Sequence, residues 1–109
     1  MNLNDGILTK VIPHGDGTLT IAYIDWQEKS KKLLFCNVVY LELLYAGLAA
    51  GSHTGDFIIK DNDDKILEVL NKIGESPTGY KLFQIFDAWG DNKLVEIIAK
   101  SVEEIEIEP

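Results

Sequence analysis

Arginine is absent from this chain, and that absence is the first constraint on what the chain can do. Its ten basic residues are all lysine, set against 18 Asp and Glu for a net charge of −8. Arginine supplies the bidentate contacts that phosphate and guanine recognition favour. An acidic chain without it is badly suited to neutralising a phosphate backbone, so nucleic acid is not expected as a ligand. A basic protein is the better-matched partner, because opposite fields raise encounter rates.

Cysteine is nearly absent too. The single thiol, Cys36, has no disulfide partner within these 109 residues, so folding requires no oxidising compartment. It lies in Leu33-Leu34-Phe35-Cys36-Asn37-Val38, a context that predicts a buried apolar thiol and not a nucleophile. No apolar run approaches the roughly 20 residues of a membrane-spanning helix. The segment Met1-Asn2-Leu3-Asn4-Asp5 lacks the basic start and apolar stretch of a signal peptide. A soluble, cytoplasmic protein without membrane association is therefore expected.

What is present suits a packed globule. Apolar residues make up 46% and charged residues 26%, and 109 residues suffice for one domain, 1–109, with a single core. Ile7 to Ile12 reads as a strand ended by Pro13, and Pro13-His14-Gly15-Asp16-Gly17 is turn chemistry. Thr18 to Trp26 follows as a strand, with Leu19, Ile21 and Tyr23 on one face and Thr18, Thr20 and Ala22 on the other. A polar turn at Gln27 to Lys31 leads to a third strand, Lys32 to Val38. Residues 39–50 fit a helix or a strand, and a strand fading into a loop is favoured. Three glycines between Gly47 and Gly55 predict a loop, followed by a short strand at Phe57-Ile58-Ile59.

One helix is expected, about 62–73. Ile66, Leu67, Val69, Leu70 and Ile73 share a face, and Ile66, Val69, Leu70 and Ile73 should be buried. Asp61 to Asp64 supply the cap and the negative charge that a helix N-terminus favours, and Gly74 and Pro77 stop it. The closing region reads as a strand from Tyr80 to Asp87, a turn at Ala88-Trp89-Gly90-Asp91-Asn92, then Lys93 to Ser101 and on to Ile107.

No reactive constellation in the sequence has the spacing its chemistry needs. A calcium loop starting at Asp61 would meet Lys65, Ile66 and Lys72 where an oxygen ligand, glycine and glutamate belong. The Gly47–Gly51 gap is one residue short for a phosphate loop, and its lysine is missing. Ser52, His53 and Asp56 are neighbours in the expected loop, whereas triad members usually come from separate elements. They read as solvated, and His14 lies alone in its turn. No cofactor, metal or catalytic residue is expected.

The carboxylates carry more. Glu96, Glu104, Glu106 and Glu108 share a parity opposite to Val95, Ile97, Ala99, Ile105 and Ile107, which on a strand makes an acidic face. It is either a solvated face that blocks aggregation or a surface for a basic partner. Asp25-Trp26 and Asp87-Ala88-Trp89-Gly90-Asp91 each pair a tryptophan with acids near a strand end, and tryptophan is enriched at interface hot spots. The candidate partner-binding residues are therefore Asp25, Trp26, Asp87, Trp89, Asp91, Glu104 and Glu106.

A family resemblance follows from the order of these runs. Gly15-Asp16-Gly17-Thr18-Leu19-Thr20-Ile21 leads to Tyr23-Ile24-Asp25-Trp26 and then to Leu33 through Val38. Phe83-Gln84-Ile85-Phe86-Asp87-Ala88-Trp89-Gly90 is followed by Leu94 through Val102. The chain resembles small acidic bacterial immunity proteins of polymorphic-toxin and contact-dependent inhibition systems, over about two-thirds of its length. The helix and the glycine-rich segment fall outside that pattern. The resemblance implies a compact sheet-rich domain that binds and blocks a cognate toxin. It carries over no individual binding residue, because these families vary at the toxin-facing surface.

The expected fold is α+β: a mainly antiparallel sheet of about six strands with one packed helix. The expected function is stoichiometric neutralisation of a basic toxin, without catalysis. The alternative is a small structural or scaffolding subunit that self-associates through a sheet edge, and an enzyme ranks third.

Overall fold

Two periodicities set the architecture, and a computed structural model shows how they meet. It describes residues 2–43, 52–89 and 92–107, with Ser52 by backbone alone. Eight strands and one helix follow in the order β1 (Gly6–Pro13), β2 (Leu19–Ile24), β3 (Ser30–Cys36), β4 (Tyr40–Leu43), β5 (Ser52–Lys60), α1 (Asp64–Ile73), β6 (Lys81–Asp87), β7 (Lys93–Ala99) and β8 (Ser101–Glu106). The fold is α+β. All pairings are antiparallel, in the order β4-β7-β6-β5-β1-β2-β3-β8.

The two ends of that order are one structure. Only residues 37–39 separate β3 from β4, and only Lys100 separates β7 from β8. Cys36 lies opposite Ser101 and Tyr40 opposite Ile98, so the two bent strands stay paired with nearly constant register. Hydrogen bonds from Lys100 N to Cys36 O and from Val39 N to Ile98 O, both about 3 Å (3.0 and 2.9 Å), hold the bend. Asn37, with φ of 57°, turns the corner. Strands that bend at a corner let a sheet fold onto itself. Six long segments thus close into a barrel-like ring, which reconciles eight observed strands with the six expected. The single strand expected from Lys93 to Ile107 is instead two, divided at Lys100.

The core fills the inside of this ring. Alternation in β2 sends Leu19, Ile21 and Tyr23 inward, as expected, and each is at most 1% exposed. Phe35 from β3 meets Phe83 from β6 edge-on at 5.2 Å, and Phe57 of β5 stacks on Phe83 at 6.1 Å. The Phe35–Phe83 contact joins opposite walls of the ring, and Phe57, from the strand beside β6, extends the same aromatic cluster.

Helix α1 covers the outer face of β6 and β7. Ile66 and Leu70 are buried against Tyr80, Leu82 and Ile98. Asp63 caps the helix, accepting a 2.9 Å bond from Lys65 N, and Gly74 closes it with φ of 74°. Val69 is half-buried, but Ile73 is 48% exposed and Leu67 49% exposed, correcting the expected burial of Ile73. The apolar stripe is wider than the sheet surface beneath it.

Covered on both sides, β7 is buried almost throughout. Glu96 is therefore not part of a solvated acidic face. Its parity is as expected, opposite to inward Val95, Ile97 and Ala99, but the outer side it occupies lies under the helix and it is 2% exposed. Gln84 Nε2 at 2.8 Å, Lys93 Nζ at 2.6 Å and Lys65 Nζ at 3.4 Å satisfy it. Burial pushes its carboxyl up, but those bonds and the two ammonium charges outweigh that, and the net direction is below the ordinary 4.5.

Of the loop expected from Gly47 to Gly55, residues 47–51 lie outside the described residues and the remainder is corrected: β5 starts at Ser52. Gly55 is there because the backbone of β6 passes so close that a Cβ would lie 2.2 Å from Asp87 O. His53 and Asp56 are exposed, as expected, but they stand on a strand. Cys36 is half-buried on the outer face of β3 and not deep in the core.

Candidate functional site

Strand direction decides which candidate residues can act together. β1 and β6 are both antiparallel to β5, so they run the same way. The turn that leaves β6, carrying Asp87 and Trp89, consequently lies at the end of the barrel where β1 finishes. The turn that leaves β2, carrying Asp25 and Trp26, lies at the opposite end, where β3 starts and β8 finishes. The expected tryptophan-and-acid surface is thus two surfaces.

The Asp25 end is the more elaborate. Residues 25–29 form a tight hairpin turn closed by Glu28 N to Asp25 O and Asp25 N to Lys29 O, each 2.9 Å. The Asp25 carboxylate lies inside the turn, 5% exposed, accepting from Gln27 N and Lys29 N at 2.9 Å. The Lys29 amide bond, foremost, and the Lys31 ammonium at 3.2 Å hold its pKa below the ordinary carboxylate value. The bond with Asp25 in turn raises Lys31. Asp25 is thus a residue that sets the turn, and its neighbour Trp26 is the one presented to solvent, at 60% exposure.

Strand β8 completes this end. Glu104 lies opposite Leu33, which lies opposite Ile21, so Glu104 is on the inward side of the sheet at the barrel's mouth. This reverses the expected arrangement, in which Ile105 would point inward and the glutamates outward. Glu104 accepts a 2.5 Å bond from the buried Tyr23 hydroxyl and lies 3.8 Å from Lys31. Burial, then that hydrogen bond to a carboxylate, pushes the Tyr23 hydroxyl well above its ordinary pKa. Glu106 reaches Lys29 at 3.9 Å and is largely exposed. Asp25, Glu104 and Glu106 thus pair with Lys29 and Lys31 at the end whose turn carries Glu28 and the exposed Trp26.

One backbone feature here was not visible in the sequence. Glu28 has φ of 64°, the left-handed conformation that a hairpin of this kind normally gives to glycine or asparagine. A non-glycine residue there is strained by on the order of 1–2 kcal/mol. An acidic residue thus occupies the strained position, two residues after the exposed Trp26.

At the other end, Asp87 accepts from the Asn92 amide side chain at 3.0 Å, and Trp89 stands 76% exposed. Asp91 lies outside the described residues, so its place in this turn is not assigned.

A cavity of about 390 Å³ opens at the helix N-terminus, lined by Asp61, Asp63, Asp64, Thr78 and Tyr80 among others. Its acids have structural duties: Asp63 caps the helix and lies 3.8 Å from Lys60, and Asp61 lies 3.6 Å from Lys81. Among the described residues no three His, Cys, Asp or Glu side chains group to hold a metal ion, and no helix is long and apolar enough to cross a membrane. Comparison with family models, curated proteins and solved structures finds no significant match to this chain.

Proposed function

We propose that this chain is a cytoplasmic, immunity-type protein that neutralises a bacterial toxin by stoichiometric binding. The acidic end that presents Trp26 docks on a basic toxin domain and occludes its substrate. The observation that supports this most is the β2–β3 turn itself. A hairpin selected only for stability would have glycine at position 28 and no exposed indole at position 26. Strain retained at an exposed position is expected where the residue serves recognition.

The division of labour follows from burial. Glu28 and Glu106 are rim charges, which raise the encounter rate and lose influence as salt rises. Trp26 is the side chain that a partner would desolvate, and it sets residence time. Asp25, Tyr23 and Lys31 hold the platform. Trp89 and Asp87, at the far end, serve a second contact or none.

Affinity capture from a native bacterial lysate, with the intact chain as bait, tests this reading. One basic protein retained at equal stoichiometry, and released by Trp26→Ala, is the expected result. Retention of the same protein by Trp26→Ala, at unchanged dissociation rate, would refute it.

A further inference from the structure

The two outer faces of the barrel differ, and the difference points to a second surface. Helix α1 covers the face of β6 and β7, but among the described residues no element packs on the outer face of β1, β2, β3 and β8. An antiparallel sheet with a solvated side ordinarily turns polar residues outward. Here the registered rows across these strands include Lys10–Ala22–Lys32–Ile105 and Ile12–Thr20–Leu34–Glu103, with Ile24 opposite Ile7 in the next row. Half-buried Ala22, Ile24, Leu34 and Ile105 form its apolar middle.

Its charges are distinctive as well. Seven of the ten lysines have a carboxylate within 4.0 Å, but Lys10 and Lys32 have no ion pair among the described residues. Glu103, the acid in these two rows, has none either. In a chain of net charge −8, this side is the one where a second negative chain would meet least repulsion.

We propose that this face joins two copies of the chain into a dimer with two-fold symmetry. Lys32 lies opposite Ile105 and Leu34 opposite Glu103, so these four residues form a parallelogram with Lys32 and Glu103 on one diagonal. A two-fold axis along the other diagonal, in the plane of contact, stacks Leu34 on the partner subunit's Leu34 and Ile105 on the partner subunit's Ile105. The same operation places Lys32 against the partner subunit's Glu103, twice. A patch that supplies both halves of its own ion pairs is what an isologous interface requires. With strands about 4.8 Å apart and a rise of about 3.3 Å per residue, the face is roughly 20 Å square. That is small beside the roughly 800 Å² per partner of a standard interface, so the dimer belongs with weak, concentration-dependent associations.

Sedimentation velocity on the full chain from about 1 to 500 µM tests this. Wild type should pass from monomer to dimer over that range. Lys32→Glu and Glu103→Lys should each weaken the dimer at least tenfold, and the double swap should restore it, with circular dichroism confirming that each variant is folded. A wild-type monomer at every concentration would overturn the proposal. So would a dimer indifferent to the single swaps, or one that the double swap fails to restore. The ion pair named here is absent from the Trp26 end, so this result and the capture result are independent.

Discussion

Replacing Glu96 by glutamine tests the account of how the helix is fixed to the sheet. The Glu96 side chain is 3% exposed and bridges strand to helix, with Lys93 at 2.6 Å, Lys65 of α1 at 3.4 Å and Gln84 at 2.8 Å. The change keeps shape and one acceptor but removes the charge. Breaking a fully buried ion pair costs about 3–5 kcal/mol. The partners here are not fully buried: the Lys93 and Lys65 side chains are 29% and 35% exposed and can rehydrate. That brings the expected loss to about 2 kcal/mol, between the buried and exposed limits, or a fall in melting temperature of roughly 10 °C. Urea unfolding at a series of pH values is the assay. Folding depresses this carboxyl below its ordinary 4.5. Its contribution is therefore fully present above the unfolded value and is lost as pH falls through the folded one. The gap between wild type and Glu96→Gln should be widest near pH 7 and should narrow steadily below about pH 4.5. A difference under roughly 0.5 kcal/mol at pH 7, or a gap of constant size down to pH 3, would refute the reasoning.

The remaining expectations concern packing, the turn and the mouth of the barrel. Leu70→Ala, at a fully buried site, should lower stability by about 2–5 kcal/mol, while Ile73→Ala, half exposed, should lower it by under about 1 kcal/mol, both read from urea midpoints. Gly55→Ala must move either the added Cβ or the Asp87 carbonyl, and a loss above about 2 kcal/mol is expected in the same assay. Glu28→Gly should relieve the left-handed strain and raise stability by about 1 kcal/mol while leaving Trp26 fluorescence unchanged. In an ultraviolet titration Tyr23 and Tyr80 should both ionise above the ordinary 10, Tyr23 last, and Tyr23→Phe should remove that latest step while leaving the Tyr80 one.

Particular residues show how far the sequence could be read. The alternation of β2 and the Asp63 and Gly74 caps of α1 were legible, because each depends on local geometry that a run of a few residues already determines. Glu96 and Glu104 were not. Their parity was visible, but whether a face meets solvent, helix or barrel interior depends on strands distant in sequence. The break at Lys100 was hidden for a related reason: apolar residues of one parity recur on both sides of it (Val95, Ile97 and Ala99, then Ile105 and Ile107) although the inward side switches there, and a corner that long-range pairing enforces needs no glycine or proline. Gly55 misled in the other direction. It looked like loop punctuation and instead serves the close passage of β6. For the candidate site, the pairing of acids with Trp26 was readable, whereas its separation from Trp89 required strand direction, and the conformation of Glu28 required the turn.

The measurement that bears most directly on function is parallel capture from native lysate with three baits, wild type, Trp26→Ala and Glu28→Lys/Glu106→Lys, at low and high salt. One basic protein is expected on the wild type, retained less as salt rises. Trp26→Ala should release it faster, and the charge-reversed bait should capture it more slowly, by a margin that shrinks in high salt. Equal recovery of that protein on all three baits, or recovery of the chain alone, would contradict the assignment of this end as the binding surface.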